Sequence, residues 1–229
     1  MRIGGLQKFS MIDYPGLVSA IVFTTGCNFR CGFCHNPELV QPDQFPAPIP
    51  EEEVLDFLRS RRGKLQAVVI TGGEPTIHAD LPEFIRKIKD VGFKIKLDSQ
   101  GTNPTMLEQI IQEKLVNYLA MDIKGPLDRY QEITNMPVNR DDIKRSIELL
   151  MKSGIPYEFR TTIVREQLSP EDILRIGDTI KGANQYYLQK FIPTKANDSA
   201  FLGKHTYTDQ EFAVLRDQLH TMIKKVGIR

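Results

Sequence analysis

The chain has 229 residues, of which 41% are hydrophobic, and this is enough to bury the core of one domain. Its 30 lysine and arginine residues nearly balance 29 aspartate and glutamate residues. A net charge of +1 provides no overall field that would attract nucleic acid or an anionic membrane. The polar N-terminal segment is untypical of a signal peptide, and no apolar run reaches the length of a spanning helix. We therefore expect a cytoplasmic protein without a nucleic-acid or membrane partner.

The predicted strands alternate with amphipathic helices along the chain. Six short runs of apolar or β-branched residues are each followed by residues with helical spacing, which is typical of βα units around a parallel sheet. Residues 1–18 are predicted as an N-terminal extension, residues 19–207 as six βα units and residues 208–229 as a C-terminal helix. The predicted strands are 19–25, 67–71, 93–98, 118–122, 157–164 and 185–191.

Prolines and capping residues mark several helix boundaries. The four prolines within residues 41–50 indicate an extended connection before a helix that starts near Glu51. The helical spacing of residues 141–153 is followed by Gly154, a common residue at a helix C-terminus. Ser169 and Pro170 predict the start of a later helix, because serine caps the first turn and proline fits inside it.

Six units are too few for a closed eight-unit barrel. We therefore expect a single α/β domain built as an open partial (βα)6 barrel, with a doubly wound sheet as the alternative. Both folds place their sites at the C-terminal ends of the strands. The unusual polar residues follow this rule, because they stand at strand ends: the cysteine loop, residues 72–75 (GGEP), residues 98–101 (DSQG), residues 122–124 (DIK) and, within the fifth strand, Arg160. We expect them to share one pocket.

The three cysteines of the chain, Cys27, Cys31 and Cys34, fall on one loop. Three soft thiolates suit an iron–sulfur cluster or zinc rather than a hard cation. A structural zinc site would need His35 as the fourth ligand, although such sites usually draw their ligands from two separated pairs. A lone reactive cysteine is the least favoured reading. A four-iron cluster held by three cysteines would leave one iron open to a substrate or cofactor.

The cysteine loop, CNFRCGFC, resembles the C-x3-C-x-aromatic-C signature of the radical S-adenosylmethionine (SAM) superfamily. This resemblance implies that Cys27, Cys31 and Cys34 hold one 4Fe–4S cluster, that the open iron binds SAM, and that an electron from the cluster cleaves SAM to methionine and a 5'-deoxyadenosyl radical. Residues 72–74 resemble the GGE motif of that family. In the family these residues hold the SAM amino group, and an aromatic residue at the position of Phe33 packs beside the adenine. The implied site residues are Gly72, Gly73, Glu74 and Phe33.

Other segments resemble the activating enzymes of glycyl radical enzymes. These are Asp13-Tyr14-Pro15-Gly16, the CHN sequence that includes His35, the DTNG-like residues 98–101 and the DLK-like residues 122–124. The resemblance implies that Asp13 contacts the substrate glycine, that Asp122 and Lys124 contact the ribose and methionine of SAM, and that Arg160 helps to close the site. It also leaves a monovalent cation at Asp98 and Ser99 as a further cofactor to test. The alternative for the charged residues is an ordinary salt-bridge network at the barrel rim.

Within this group the opening segment and the length look most similar to anaerobic ribonucleoside-triphosphate reductase activating proteins, followed by pyruvate formate-lyase activating enzymes. The resemblance implies a glycyl radical enzyme as protein substrate and a flavodoxin or ferredoxin as electron donor. Three cysteines allow only one cluster. Two alternatives stay open: a radical SAM enzyme that acts on a small molecule, as a deazapurine synthase does, and a non-catalytic zinc module.

Overall fold

An eight-stranded sheet organises the computed structural model, which describes residues 1–229. Its strands lie side by side in chain order, and all neighbours are parallel except β1 and β2, which are antiparallel. The edge strands β1 and β8 do not pair with each other, so the expected open partial barrel is confirmed. The strands are β1 Ile3–Tyr14, β2 Leu17–Thr24, β3 Ala67–Gly72, β4 Lys94–Ser99, β5 Tyr118–Asp122, β6 Tyr157–Ile163, β7 Tyr186–Lys190 and β8 Val226–Ile228.

Eight helices connect the strands and cover one face of the sheet. They are α1 Pro37–Val40, α2 Glu51–Ser60, α3 Leu81–Val91, α4 Pro104–Gln112, α5 Tyr130–Thr134, α6 Arg140–Lys152, α7 Pro170–Thr179 and α8 Asp209–Leu219. The apolar stripe of α3, with Phe84, Ile85 and Ile88, is fully buried in the main hydrophobic core. The predicted start of α7 is confirmed, because Ser169 and Asp172 form a reciprocal capping box. No helix is long and apolar enough to span a bilayer.

The six predicted strands correspond to β2 to β7, and their ends differ from the prediction by at most two residues. Two expectations need correction. The N-terminal extension contains β1, which turns at residues 15–16 and pairs back along β2. The C-terminal segment is helical only to Leu219, after which Val226–Ile228 forms β8 beside β7. Gly227 lies against the ring of Tyr187, where a larger residue would clash. The glycine therefore allows β8 to pack closely beside β7.

The other face of the sheet carries the polar residues of the site. Because side chains alternate along a strand, Tyr118 and Asp122 of β5 share this face with Glu158 and Arg160 of β6. Fully buried Glu158 accepts hydrogen bonds from the Tyr118 hydroxyl at 3.1 Å and from both terminal nitrogens of Arg229 at 2.8 and 2.9 Å. An apolar cluster lies at the same end, formed by Tyr14, Ile21, Ala67, Val69 and Tyr118. Side chains therefore fill this face at the N-terminal strand ends and leave room at the C-terminal ends.

Candidate active site

A cleft opens at the C-terminal strand ends, where the sequence predicts the site. Most of the predicted residues line it: Cys27, Cys31, Cys34, Phe33, His35, Gly72, Gly73, Glu74, Asp98, Ser99, Asp122 and Lys124. Arg160 lies beneath the rim and contacts two of these residues. The expectation that the strand ends share one pocket is therefore met by the geometry. Asp13 is the exception.

Asp13 does not reach the cleft. It precedes the turn between β1 and β2, where Tyr14 pairs with Leu17, and its carboxylate accepts a hydrogen bond from the Ser10 hydroxyl. The cleft lies beyond the other end of β2, and seven residue steps along that strand correspond to about 23 Å. The prediction that Asp13 contacts a substrate glycine at the cleft is corrected accordingly, because the antiparallel hairpin carries Asp13 to the opposite end of the sheet.

Hydrogen bonds fix the shape of the cysteine loop and attach it to neighbouring segments. Arg30 donates from its guanidinium to the carbonyl oxygens of Cys27 at 2.6 Å and Phe29 at 2.7 Å, and its backbone amide donates to Thr134 of α5 at 2.8 Å. On the other side Asp198 donates its backbone amide to the Gly32 carbonyl at 3.0 Å. Together these contacts fix the loop between α5 and the segment that follows β7.

The three thiols are free and lie close to a positive charge that favours their thiolate forms. Burial raises the pKa of Cys27 to about 12 and that of Cys31 to about 11, and burial also raises the pKa of Cys34. The nearby positive charge of Lys124 opposes each of these shifts. The Phe29 amide donates to the Cys27 sulfur at 3.3 Å, a contact that favours a thiolate. Because iron–sulfur clusters are bound as thiolate complexes, cluster assembly would release protons from these residues.

The donor set fits a cluster better than a single ion. No three histidine, cysteine, aspartate or glutamate side chains in residues 1–229 converge as the ligands of one metal ion would. A cubane instead binds each thiolate at a separate iron corner. The ring of His35, the proposed fourth zinc ligand, packs against Phe191 with ring centroids 5.6 Å apart. The arrangement of the side chains thus favours three separate thiolate ligands over a closed Cys3His site.

The GGE segment is shaped by close contact with the end of β2. Gly72 has φ +118°, a region that favours glycine, and a Cβ on Gly73 would overlap the carbonyl of Gly26. The amides of Gly73 and Glu74 donate to Thr24 and Gly26 at 2.9 and 2.8 Å. Both glycines are therefore needed for two backbone segments to pass closely beside the cysteine loop.

Replacing Gly73 with alanine is expected to destabilise the fold. The new methyl group meets backbone rather than a movable side chain, and such overpacking costs about 1–3 kcal/mol, or roughly 2–12 °C in Tm for a domain of this size. Thermal unfolding followed by circular dichroism measures the effect. Gly203→Ala is the matched control, because a Cβ at Gly203 has no neighbour within 4 Å. Equal Tm values for the two variants would contradict this account of the segment.

Both carboxylate oxygens of Glu74 accept hydrogen bonds from other residues of the protein. Its Oε1 accepts hydrogen bonds from the Thr76 amide at 3.1 Å, from the Thr76 hydroxyl and from the Ser99 hydroxyl at 2.8 Å, while Oε2 accepts from the Gln100 amide at 2.7 Å. A carboxylate offers about four acceptor positions. Burial raises the pKa of Glu74, and the hydrogen bonds from Thr76 and Gln100 oppose that shift. In this structure Glu74 joins the end of β3 to the end of β4.

A chain of charges runs across β4, β5 and β6. The Arg160 guanidinium contacts Asp122 Oδ1 at 2.8 Å and Asp98 Oδ2 at 2.9 Å, and the Lys124 ammonium contacts Asp122 Oδ2 at 3.1 Å. Burial would raise the pKa of Asp122, but the charges of Arg160 and Lys124 hold it well below its usual range. Burial would likewise lower the pKa of Lys124, which Asp122 instead raises. Asp122 and Lys124 are therefore both ionised at neutral pH.

Phe33 and Lys124 also meet in the cleft. The Lys124 ammonium lies 5.8 Å from the centroid of the Phe33 ring, and Phe33 packs on Phe201 with centroids 6.3 Å apart. The sequence did not single out Phe201, which also lies against Gly32 and so covers the cysteine loop. It likewise missed Lys96, whose side chain is only 2% exposed and whose ammonium is 2.6 Å from Asp98 Oδ1. The K-x-D spacing of β4 was the available signal for Lys96.

Comparison with known proteins identifies the family. The model described as the radical SAM superfamily matches residues 21–180, more than half of the chain. The chain belongs to the radical SAM superfamily. Membership implies a 4Fe–4S cluster and SAM as cofactors, and the cleft described above offers the three thiolates that such a cluster requires.

Three relatives span most of this radical SAM chain. A Methanocaldococcus jannaschii protein, provisionally named as a glycyl-radical enzyme activating enzyme, is 36% identical over 87% of this chain and 83% of its own length. The pyruvate formate-lyase-activating enzyme of Listeria monocytogenes is 27% identical over 89% of this chain and 73% of its own. The AdoMet-dependent heme synthase of Oleidesulfovibrio alaskensis is 27% identical over 82% of this chain and 48% of its own.

A solved structure supports the fold. SuiB of Streptococcus suis, solved with bound SAM, superposes with a TM-score of 0.70 at 14% identity and covers 91% of this chain. This radical SAM chain spans about half the length of SuiB and of the heme synthase, 49% and 48% respectively. At this level of identity the similarity to SuiB shows a shared architecture.

Proposed function

We propose that this radical SAM protein is an activating enzyme that generates a glycyl radical on a partner protein. The observation that carries the proposal is the 36% identity, over most of both chains, to a protein named for that activity. The pyruvate formate-lyase-activating relative adds a second member of the same functional group. Anaerobic ribonucleoside-triphosphate reductase is our first candidate for the partner, on the resemblance of the opening segment, and pyruvate formate-lyase is the second.

In this proposal Cys27, Cys31 and Cys34 hold the cluster. When bound, the cluster and SAM supply the one-electron chemistry that yields a 5'-deoxyadenosyl radical. Asp122 and Lys124 orient the ribose and methionine of SAM, and Arg160 holds Asp122 in place from below. These assignments are supported by their common cleft and by the ion pairs that fix the carboxylate.

The remaining cleft residues shape the SAM pocket in our proposal. Phe33 stacks beside the adenine, and His35 borders the same wall of the cleft. Glu74 keeps the glycine pair, Gly72 and Gly73, against the cysteine loop, so that the backbone of this segment faces the SAM amino group. A flavodoxin or ferredoxin is the proposed electron donor.

The open sheet supports a protein substrate over a small one. Pockets for small molecules usually bury most of the ligand surface, whereas β1 and β8 leave the barrel unclosed along one side. A loop that carries a glycine could reach the cleft through such an opening. The alternative, a radical SAM enzyme acting on a small molecule, is supported by the heme synthase relative, which matches at lower identity and over 48% of its own length.

Electron paramagnetic resonance tests the proposal directly. The reconstituted protein, SAM and a reductant are incubated anaerobically with each candidate glycyl radical enzyme, and a glycyl doublet is expected with the true partner. A partner in which the radical glycine is replaced by alanine is the matched control and should give no doublet. If neither candidate acquires a radical while a metabolite supports stoichiometric 5'-deoxyadenosine formation, the small-molecule alternative takes its place.

A further inference from the structure

Lys96 occupies an unusual position for a lysine. It lies in the middle of β4, its side chain is 2% exposed, and its ammonium is 2.6 Å from Asp98 Oδ1. A buried ammonium is retained in a fold only when it is paired, because the cost of removing the charge from water is large. Asp98 supplies that pairing, and Asp98 itself lines the cleft.

Both oxygens of Asp98 are already engaged by cations. Lys96 contacts Oδ1, and Arg160 contacts Oδ2 at 2.9 Å. The neighbouring Ser99 hydroxyl donates to Glu74 at 2.8 Å and accepts from the Gly101 amide at 3.0 Å. The two side chains that the resemblance assigns to a monovalent cation therefore have their principal contacts within the protein.

The charge balance leads to the same result. Across β4 to β6 the cleft has two linked carboxylates, Asp98 and Asp122, and three cations, Lys96, Lys124 and Arg160. The linked set thus has one surplus positive charge before any ligand binds. A sodium or potassium ion at Asp98 would be repelled by Lys96 and Arg160 at short range. These residues do not fit the implied cation.

We propose that Lys96 replaces the monovalent cation at Asp98, so that this protein binds and cleaves SAM without sodium or potassium. The Lys96 ammonium neutralises Asp98 beside the SAM pocket. Because it is part of the chain, it cannot dissociate as a bound sodium or potassium ion would. Lys96 is a positioning residue, since it acts through Asp98. The inference rests on SAM binding in the cleft and not on the identity of the protein partner, so its test contains no partner.

The first arm of the test uses the wild-type holoenzyme. SAM affinity by equilibrium dialysis, partner-free SAM cleavage and Tm are measured in sodium, potassium and tetramethylammonium chloride at equal ionic strength. We expect SAM affinity and the cleavage rate to agree within about twofold among the three salts, a difference of less than 0.5 kcal/mol. The Tm should be the same in all three. Stimulation of affinity or cleavage by sodium or potassium beyond about threefold would overturn the proposal.

The second arm uses Lys96→Ala, with Lys94→Ala as the matched control, because Lys94 lies on the same strand with its side chain exposed. In tetramethylammonium chloride the Lys96→Ala variant should bind SAM about tenfold more weakly, since Asp98 loses a buried partner. Potassium, sodium or ammonium chloride should restore much of that affinity and raise the Tm of this variant only.

A purely structural role of Lys96 predicts a different pattern. In that case the variant loses stability equally in all salts and no cation restores SAM affinity, and this result would overturn the proposal. If Lys96→Ala does not fold, Lys96→Arg takes its place. It keeps the positive charge and should bind SAM equally well in all three salts, whereas a requirement for potassium in Lys96→Arg would count against the inference. Failure of the partner experiment leaves this salt test unaffected.

Discussion

Cys31→Ala is expected to abolish cluster assembly and, with it, all SAM cleavage. Cys31 is the middle one of the three proposed ligands in sequence, and its side chain is buried where it lines the cleft. The chain has three cysteines, so no further thiolate is available to take its place. Because three thiolates are the full protein complement for a site-differentiated cluster, two cannot hold it. Iron and sulfide content and 5'-deoxyadenosine formation measure the loss.

The control for this experiment is a measurement of whether the variant is folded. Cys31→Ala should retain the wild-type circular dichroism spectrum, which separates loss of the cluster from loss of structure. Anaerobically purified wild-type protein should be brown and contain about four irons and matching sulfide per chain. One zinc per chain without sulfide would instead support the closed metal site with His35, and substantial residual cleavage by Cys31→Ala would contradict the ligand assignment.

Arg160→Met should produce the largest loss of stability among the charged residues of the cleft. The change removes the one guanidinium that contacts both Asp98 and Asp122 and leaves each of these partly buried carboxylates with a single lysine as its remaining partner. Breaking a buried ion pair from one side costs about 3–5 kcal/mol. For a domain of this size the loss corresponds to a fall in Tm of roughly 6–20 °C. Thermal unfolding at neutral pH measures it.

Arg59→Met is the matched control for Arg160→Met. Arg59 also contacts two carboxylates, Glu52 and Asp56, but its side chain is 46% exposed. Surface pairs of this kind contribute about 0–1 kcal/mol, so the control should unfold close to the wild-type Tm. Similar losses in both variants would show that burial of the charge network does not govern its contribution.

The stability gap between Arg160→Met and wild type should depend on pH. In the wild type the pKa of Asp122 is held below its usual range, so its ion pairs stabilise the fold above the unfolded pKa of about 3.9 and are lost as the pH falls through the folded value. In the variant Asp122 protonates more readily. The gap should therefore be widest near neutral pH and narrow below about pH 4. A constant gap between pH 7 and pH 3.5 would be inconsistent with this electrostatic explanation.

The sequence predicted the parallel units because their strands are apolar runs with clear helical connections. It predicted the cleft for the same reason, since strand ends of a parallel sheet meet at one edge. The hairpin strand β1 escaped prediction because its sequence mixes polar and apolar residues without regular alternation and contains two glycines. Short β8 escaped because Val226–Ile228 offers too few residues for a periodic signal.

The buried charges were the other feature that sequence reasoning could not place. Lys94, Lys96 and Asp98 alternate with apolar residues, a pattern that ordinarily indicates a solvent-facing side of a strand. In this sheet the polar side faces the interior, where Lys96 meets Asp98 and Glu158 meets Arg229. Alternation specifies which residues share a face, but only the curvature and packing of the whole sheet determine whether that face meets water.

Because the strands lie in the sheet in chain order, the sheet can form while the protein is being synthesised. Each new strand can pair with the one completed just before it, so the sheet can grow from its N-terminal edge as the chain leaves the ribosome. The thiols of the cysteine loop emerge early, whereas Asp122 and Arg160, which build the far wall of the cleft, follow about a hundred residues later. At about 5–20 residues per second, the nascent thiols would stand open to oxidants for roughly 5–25 s.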